Sequence, residues 1–158
     1  METTTFAQLM QTGCVVGDQN GLTLTIPSSW IIKGENRLSY TTLIRLIECC
    51  REYHWQTDIL PNTKNNVSLD SICKSLYGEF INPILVGSVI SITYLVTDIR
   101  RIGYSLRFDV RNTQTQTLCA KFDFVSVFYD PVTQKPIAPP TSVFDYLYAR
   151  CNQGGVNK

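Results

Sequence analysis

The stretch RLSYTTLIRLIECCREYHW, Arg37–Trp55, decides the fold. Leu43, Leu46, Ile47, Cys50 and His54 recur at i, i+3, i+4, i+7 and i+11, which places them on one side of a helix. Arg45, Glu48 and Glu52 fall on the opposite side, with Trp55 beside them. Ser39 stands where an N-cap is needed. One well-formed helix in a chain otherwise rich in strand patterns predicts a sheet curled around that helix, with the helix end available for binding.

Outward from this helix the chain reads as strands. Cys14–Val16, the turn Asp18-Gln19-Asn20-Gly21 and Leu22–Ile26 form a hairpin pattern. A loop with Lys33-Gly34-Glu35-Asn36 leads into the helix, and the polar loop Pro61–Asn66 follows it. Four strand-like runs come next: Asp70–Phe80, Gly87–Ile99, Ile102–Val110 and Leu118–Phe128. The last three are joined by tight connections, the signature of an antiparallel meander. Pro136, Pro139 and Pro140 exclude regular pairing after the turn at Asp130-Pro131-Val132-Thr133, and Thr141–Arg150 closes the chain as a short helix. Apolar residues left on the outer sheet face call for pairing with a second subunit, as a homodimer or homotetramer.

Bulk composition narrows the function classes. At 158 residues, with 44% hydrophobic and 17% charged residues, the chain is expected to form a single domain over 1–150 and a tail over 151–158. Fourteen basic against thirteen acidic residues give a formal charge of +1, which argues against general nucleic-acid or membrane-surface binding. The N-terminus lacks a basic n-region and a long apolar core, and no apolar run reaches the roughly 18 residues of a membrane span. A cytoplasmic location follows. There the six cysteines are reduced and mostly buried, no CxxC pair suggests zinc or another metal, and the glycosylation pattern Asn66-Val67-Ser68 is idle.

Four segments carry a family likeness. They are Tyr40-Thr41-Thr42-Leu43-Ile44-Arg45-Leu46-Ile47-Glu48, Pro83-Ile84-Leu85-Val86-Gly87-Ser88, Asp98–Ser105, and the run from Val127 to Pro139. In this order and spacing they resemble the hot-dog fold acyl-CoA thioesterases of the hydroxybenzoyl-CoA type, over about residues 20–148. The resemblance implies an α+β hot-dog fold: a curved antiparallel sheet of five to six strands wrapped around one long central helix. It implies a thioesterase acting on an acyl-CoA or on an acyl group held by a carrier protein. Coenzyme A or phosphopantetheine then enters as part of the substrate, and no separate cofactor is required. The alternative is a non-hydrolytic hot-dog protein that binds acyl chains or assists polyketide or fatty-acid assembly. The family's catalytic loop aspartate falls on Lys33 here, and Glu35 lies two residues later. Arg100 and Arg101 occupy the place where such enzymes present basic residues to the phosphates of coenzyme A.

Thioester hydrolysis requires a polarised carbonyl, an attacking water or carboxylate, and a held leaving arm. A helix N-terminus supplies free N–H groups and partial positive charge, so the backbone around Tyr40–Thr42, with Tyr40 and Thr41 themselves, is the candidate oxyanion site. Glu48 admits two roles, a nucleophile or base facing the acyl group and an intrahelical ion pair with Arg51. His54 sits on the apolar stripe and reads as a core or interface histidine, with a Cys50–His54 nucleophilic pair, one turn apart, as the lesser alternative. Lys121, Arg107 and Arg111 could extend a basic surface around Arg100 and Arg101.

Overall fold

The computed structural model describes residues 15–18, 20–63 and 68–153. Residues 1–14, Asn66 and Val67 of the glycosylation pattern and the tail beyond 153 lie outside the described residues.

The helix forms where the spacing places it. Helix α1 spans Tyr40–His54, and Ser39 caps it in an extended conformation, its Oγ accepting the Thr42 N–H at 3.2 Å. Leu43, Leu46, Ile47, Cys50 and His54 are buried, and Thr42 and Cys49 widen the stripe. The helical path continues past the expected end at Trp55, as a π-turn over Trp55–Ile59 and a 3₁₀ turn over Leu60–Asn62. A π-turn holds more residues per turn and so shifts the phase of the faces. Trp55, whose N–H still reaches the Arg51 carbonyl, keeps the α-helical conformation and is nevertheless 8% exposed, where its spacing put it beside the exposed side, and Ile59 at the end of the π-turn is fully buried.

Seven strands form one antiparallel sheet: β1 (Val15–Asp18), β2 (Gly21–Thr25), β3 (Asp70–Phe80), β4 (Val89–Arg100), β5 (Gly103–Asn112), β6 (Leu118–Asp130) and β7 (Lys135–Pro136). The order is β1-β2-β4-β5-β6-β3, with β7 added to the end of β6. β2 pairs β4 in the register Leu22↔Ile92 and Leu24↔Ile90. At Gly21 any Cβ would collide with the Ile92 carbonyl, so only glycine admits this approach. Of the four runs after the helix only β4, β5 and β6 make the meander, while β3 lies beside β6 at the far edge. Pro136 corrects a second expectation. It pairs with Tyr129 in the two-residue β7, a place where the missing N–H costs no ladder bond, and the Ile137 N–H reaches the Phe128 carbonyl. The closing helix α2, Thr141–Gln153, runs three residues beyond its expected end.

The described residues pack as two compact units. The first comprises the described residues within Met1–Trp55, Glu79–Tyr94 and Phe108–Lys121. Its core sets Leu46, Ile47 and Cys50 of α1 with Leu22, Leu24, Ile90, Ile92 and Phe108, all 2% exposed or less. The Cys50 thiol donates to the Ile92 carbonyl at 3.7 Å, and the buried His54 ring lies 4.7 Å from Tyr94. The second unit comprises the described residues within Gln56–Gly78, Leu95–Arg107 and Phe122–Lys158. Strand β6 alternates through Phe122, Phe124, Ser126 and Phe128 inward, Phe128 stacking on Tyr104 at 5.2 Å. Val143 and Leu147 of α2 are fully buried in it.

On β3 the pattern inverts the usual economy. Ile72, Leu76 and Tyr77 are 49, 39 and 62% exposed, while Ser71 is buried. Among the described residues no helix is long and apolar enough to cross a membrane.

Candidate functional site

The start of α1 is held by backbone pairing, not by its cap alone. Arg37 and Leu85 form an isolated antiparallel bridge, the Leu38 N–H donates to the Ile84 carbonyl at 2.8 Å, and the Val86 N–H donates to the Asn36 carbonyl at 3.0 Å. At Gly87 the backbone turns with φ +80°, a conformation suited to glycine, and its N–H donates to the Ile26 carbonyl. The loop before the helix and the loop before β4 are thus fixed against each other.

Between them lies a cavity of about 220 Å³. Leu38, Leu43, Ile84 and Cys119 form its inner wall, each 6% exposed or less, and Tyr40, Phe80 and Arg37 form an exposed rim. The Tyr40 and Phe80 rings lie 4.4 Å apart, and the Arg37 guanidinium stands 5.7 Å from the Tyr40 ring centre. Its Nη1 donates to the Tyr40 hydroxyl at 3.4 Å. The floor is tied to β6, since the Ile81 and Asn82 N–H groups and the Cys119 carbonyl pair at 2.8 and 3.0 Å. The Asn82 amide nitrogen donates to the Leu118 carbonyl at 2.8 Å, which leaves its carbonyl oxygen as an acceptor. Burial pushes the Cys119 thiol pKa up, so at neutral pH it is a thiol, not a thiolate.

The expected site residues separate over this framework. Tyr40 lines the cavity, whereas Thr41 lines a neighbouring groove with Trp30, Ile32 and Arg45. At the helix end the Thr42 N–H is already taken by Ser39 and the Leu43 N–H by the Ser39 carbonyl. The Tyr40 and Thr41 N–H groups are the donors left over. Lys33 and Glu35 are exposed in the turn around Gly34, where the Glu35 N–H closes on the Ile32 carbonyl at 2.9 Å. Neither lines the cavity.

Glu48 lies eight residues along the helix from Tyr40, about 12 Å along its axis. It holds Arg51 through two bonds of 2.9 and 2.6 Å, with the Glu48 side chain 57% exposed and that of Arg51 17%. Glu48 and Glu52 have a nearer effect: with burial as the larger cause, their charge pushes the Cys49 thiol up to about 11. In the second unit Arg100 at the end of β4 pairs with Asp98 at 2.7 Å and donates to Ser105 at 3.3 Å, and Arg101 is exposed in the following turn. Arg107 pairs with Asp123 at 3.0 Å; in the first unit Lys121 pairs with Glu79 at 3.5 Å. Among the described residues no cluster of three His, Cys, Asp or Glu side chains is placed to hold a metal.

Several solved structures share this architecture. SAV2348 from Staphylococcus aureus, a hypothetical protein solved in complex with CoA, superposes with a TM-score of 0.71 at 14% identity, over 82% of this chain and 82% of that one. Slr0204, a 1,4-dihydroxy-2-naphthoyl-CoA thioesterase from Synechocystis, gives 0.68 at 10% identity over 82% and 95%. The dynemicin thioesterase, described for induced-fit and allosteric effects upon polyene binding, gives 0.70 at 10% over 84% and 97%. The chain has the hot-dog fold. At these identities the likeness concerns the hot-dog fold and leaves activity open. The sequence itself matches no family model and no curated protein.

Of the residues lining the cavity, only Tyr40 was singled out from the sequence as a site residue; Arg37, Phe80 and Asn82 are among those missed. Arg37 carried a usable signal, since it stands three residues before Tyr40 at the helix entry. Phe80 and Asn82 carried none, because only the pairing of β3 with β6 brings residues 80–82 onto Cys119 and beside α1.

Proposed function

We propose that this hot-dog protein is a thioesterase that cleaves an acyl thioester of coenzyme A or of a carrier protein. The observation that carries the reading is the cavity at the start of α1, where an apolar wall meets a tyrosine rim beside two unspent helix N–H groups. The acyl group enters the cavity. Its carbonyl oxygen accepts from the Tyr40 and Thr41 N–H groups, where the helix end favours developing negative charge. Water, oriented by the Asn82 carbonyl oxygen and the Tyr40 hydroxyl, attacks the carbonyl carbon. The C–S bond then breaks, and the products are the free acid and the thiol.

Arg100 and Arg101 of the second unit are kept as candidate phosphate-binding residues in their own right, Arg101 less committed than the Asp98-paired Arg100. Glu48 and Arg51 are assigned to the helix surface. Lys33 and Glu35 stay outside the chemistry in this scheme, so it runs without a carboxylate. The protein is expected to work in the cytoplasm as a homodimer or homotetramer, the exposed apolar β3 edge being the surface that pairing covers.

A second reading, acyl binding without hydrolysis, is favoured by one observation: no carboxylate lines the cavity. The test is thiol release from acyl-CoA and acyl-carrier thioesters. Release that falls with Tyr40→Phe supports hydrolysis. Tight binding without release on either carrier selects the second reading.

A further inference from the structure

The dimensions and chemistry of the cavity say which acyl groups it takes. A cavity of about 150 Å³ lined by aliphatic and aromatic side chains holds a benzene ring, and sites for drug-sized ligands start at about 300 Å³. At about 220 Å³ the present cavity falls between them. Its size corresponds to one substituted ring or a chain of about six to eight carbons. The inner wall is closed by Leu38, Leu43 and Ile84, buried to 6% exposure or less, with Cys119 at 3%. No charged side chain reaches that wall, and the Cys119 thiol is neutral. The one cation of the cavity, Arg37, stands at the rim over Tyr40.

We infer that the cavity selects an uncharged acyl group no larger than a single ring or a chain of about eight carbons, with Tyr40 and Phe80 as the collar that closes on it. The inference rests on the proposed acyl-thioester reading for its substrate but not for its binding. Each methylene that fits gains about fourfold in affinity, and one that exceeds the wall gains nothing. A charged acyl end has no partner inside and is rejected. Phe80, 42% exposed and 4.4 Å from Tyr40, becomes a specificity-determining residue.

The test has two independent arms on the full chain. In the first, benzyl alcohol, hexanol and dodecanol are titrated and followed by amide chemical shifts. Saturable binding of the two small probes at residues 38–43 and 80–84 is expected, weakened at least tenfold by Cys119→Phe. Cys119→Leu, a smaller insertion into the same wall, serves if the phenylalanine variant does not fold. In the second, kcat/KM is measured for acetyl, butyryl, hexanoyl, benzoyl, dodecanoyl and succinyl thioesters. A maximum at hexanoyl or benzoyl is expected, with a fall of at least tenfold at dodecanoyl and at least a hundredfold from butyryl to succinyl. Phe80→Ala, which opens the collar, is expected to narrow the dodecanoyl deficit.

Small-probe binding without any hydrolysis would sustain the inference and defeat the thioesterase reading. Hydrolysis that rises steadily to dodecanoyl, or small probes that fail to bind, overturns the inference while leaving hydrolysis untouched.

Discussion

Tyr40, the first residue of α1, and Phe80, the last of β3, meet with ring centres 4.4 Å apart and planes inclined by 44°. They are 40 positions apart in sequence and bring a helix start and a strand end to one rim. Such tilted pairs contribute about 0.5–1.5 kcal/mol beyond their buried area. The Tyr40 hydroxyl, already accepting from Arg37, keeps its own proton to donate.

Removing that hydroxyl separates its roles. Tyr40→Phe keeps the ring contact with Phe80 and is expected to lower kcat about 10²-fold with little change in KM. Tyr40→Ala is expected to add a rise in KM, because the rim is lost as well. Steady-state kinetics on one reactive thioester reads both. Equal kcat for Tyr40→Phe and wild type would remove the hydroxyl from the mechanism.

The cap at Ser39 is a stability element. Ser39→Ala is expected to cost about 1 kcal/mol, lowering Tm by about 2–4 °C in a chain of this size, and Ser39→Asp to retain most of it. Thermal unfolding followed by circular dichroism measures the difference. An unchanged Tm in Ser39→Ala would mean that the backbone pairing of residues 36–38 holds the helix start without the cap.

Glu48 and Arg51 give a sharper contrast. Glu48→Gln removes the exposed partner of an i,i+3 helix pair and is expected to change stability by less than about 0.5 kcal/mol. Turnover is expected to stay within about twofold of wild type, since the carboxylate is not a member of the cavity. A loss of kcat beyond about a hundredfold with an intact fold would restore Glu48 as the base.

Alkaline pH probes the second unit. Tyr146 of α2 is raised to about 12 from 10.0, by burial first and then by the charge of the buried Asp58, against the opposing Arg150. A folded-state value above the free one means the fold favours the neutral phenol. Its stabilisation is complete below about pH 10 and is lost as pH rises through about 12. Urea midpoints between pH 9 and 12 are therefore expected to fall more steeply in wild type than in Tyr146→Phe. Parallel curves would show that Tyr146 titrates normally.

Thiol reactivity separates the cysteines by environment. Cys73 on β3 is exposed, whereas Cys49, Cys50 and Cys119 are buried. With Cys49 at about 11, its thiolate fraction at pH 8 is about one in a thousand. In the folded protein Cys73 is expected to react with a disulfide reagent within minutes and the buried three only on unfolding, as peptide mapping reads directly. Rapid labelling of Cys49 in the native state would contradict its burial.

The sequence by itself determined the helix, its cap and its buried stripe, because the spacing of Leu43, Leu46, Ile47, Cys50 and His54 is a local property of one helix. It determined the long strands for the same reason, though not the short β7, and β3 at Asp70–Phe80 was legible to the residue. It pointed to Tyr40 through the rule that helix starts carry unspent donors, and Tyr40 lines the cavity. The tertiary structure decided what depends on partners far along the chain. The π-turn over Trp55–Ile59 and the burial of Trp55 have no spacing signal, because both answer to packing. The seat of β3 beside β6 is a choice among edges that strand patterns leave equal. The cavity follows from that choice, since Phe80, Asn82 and Cys119 join Arg37 and Tyr40 only once β3 is paired.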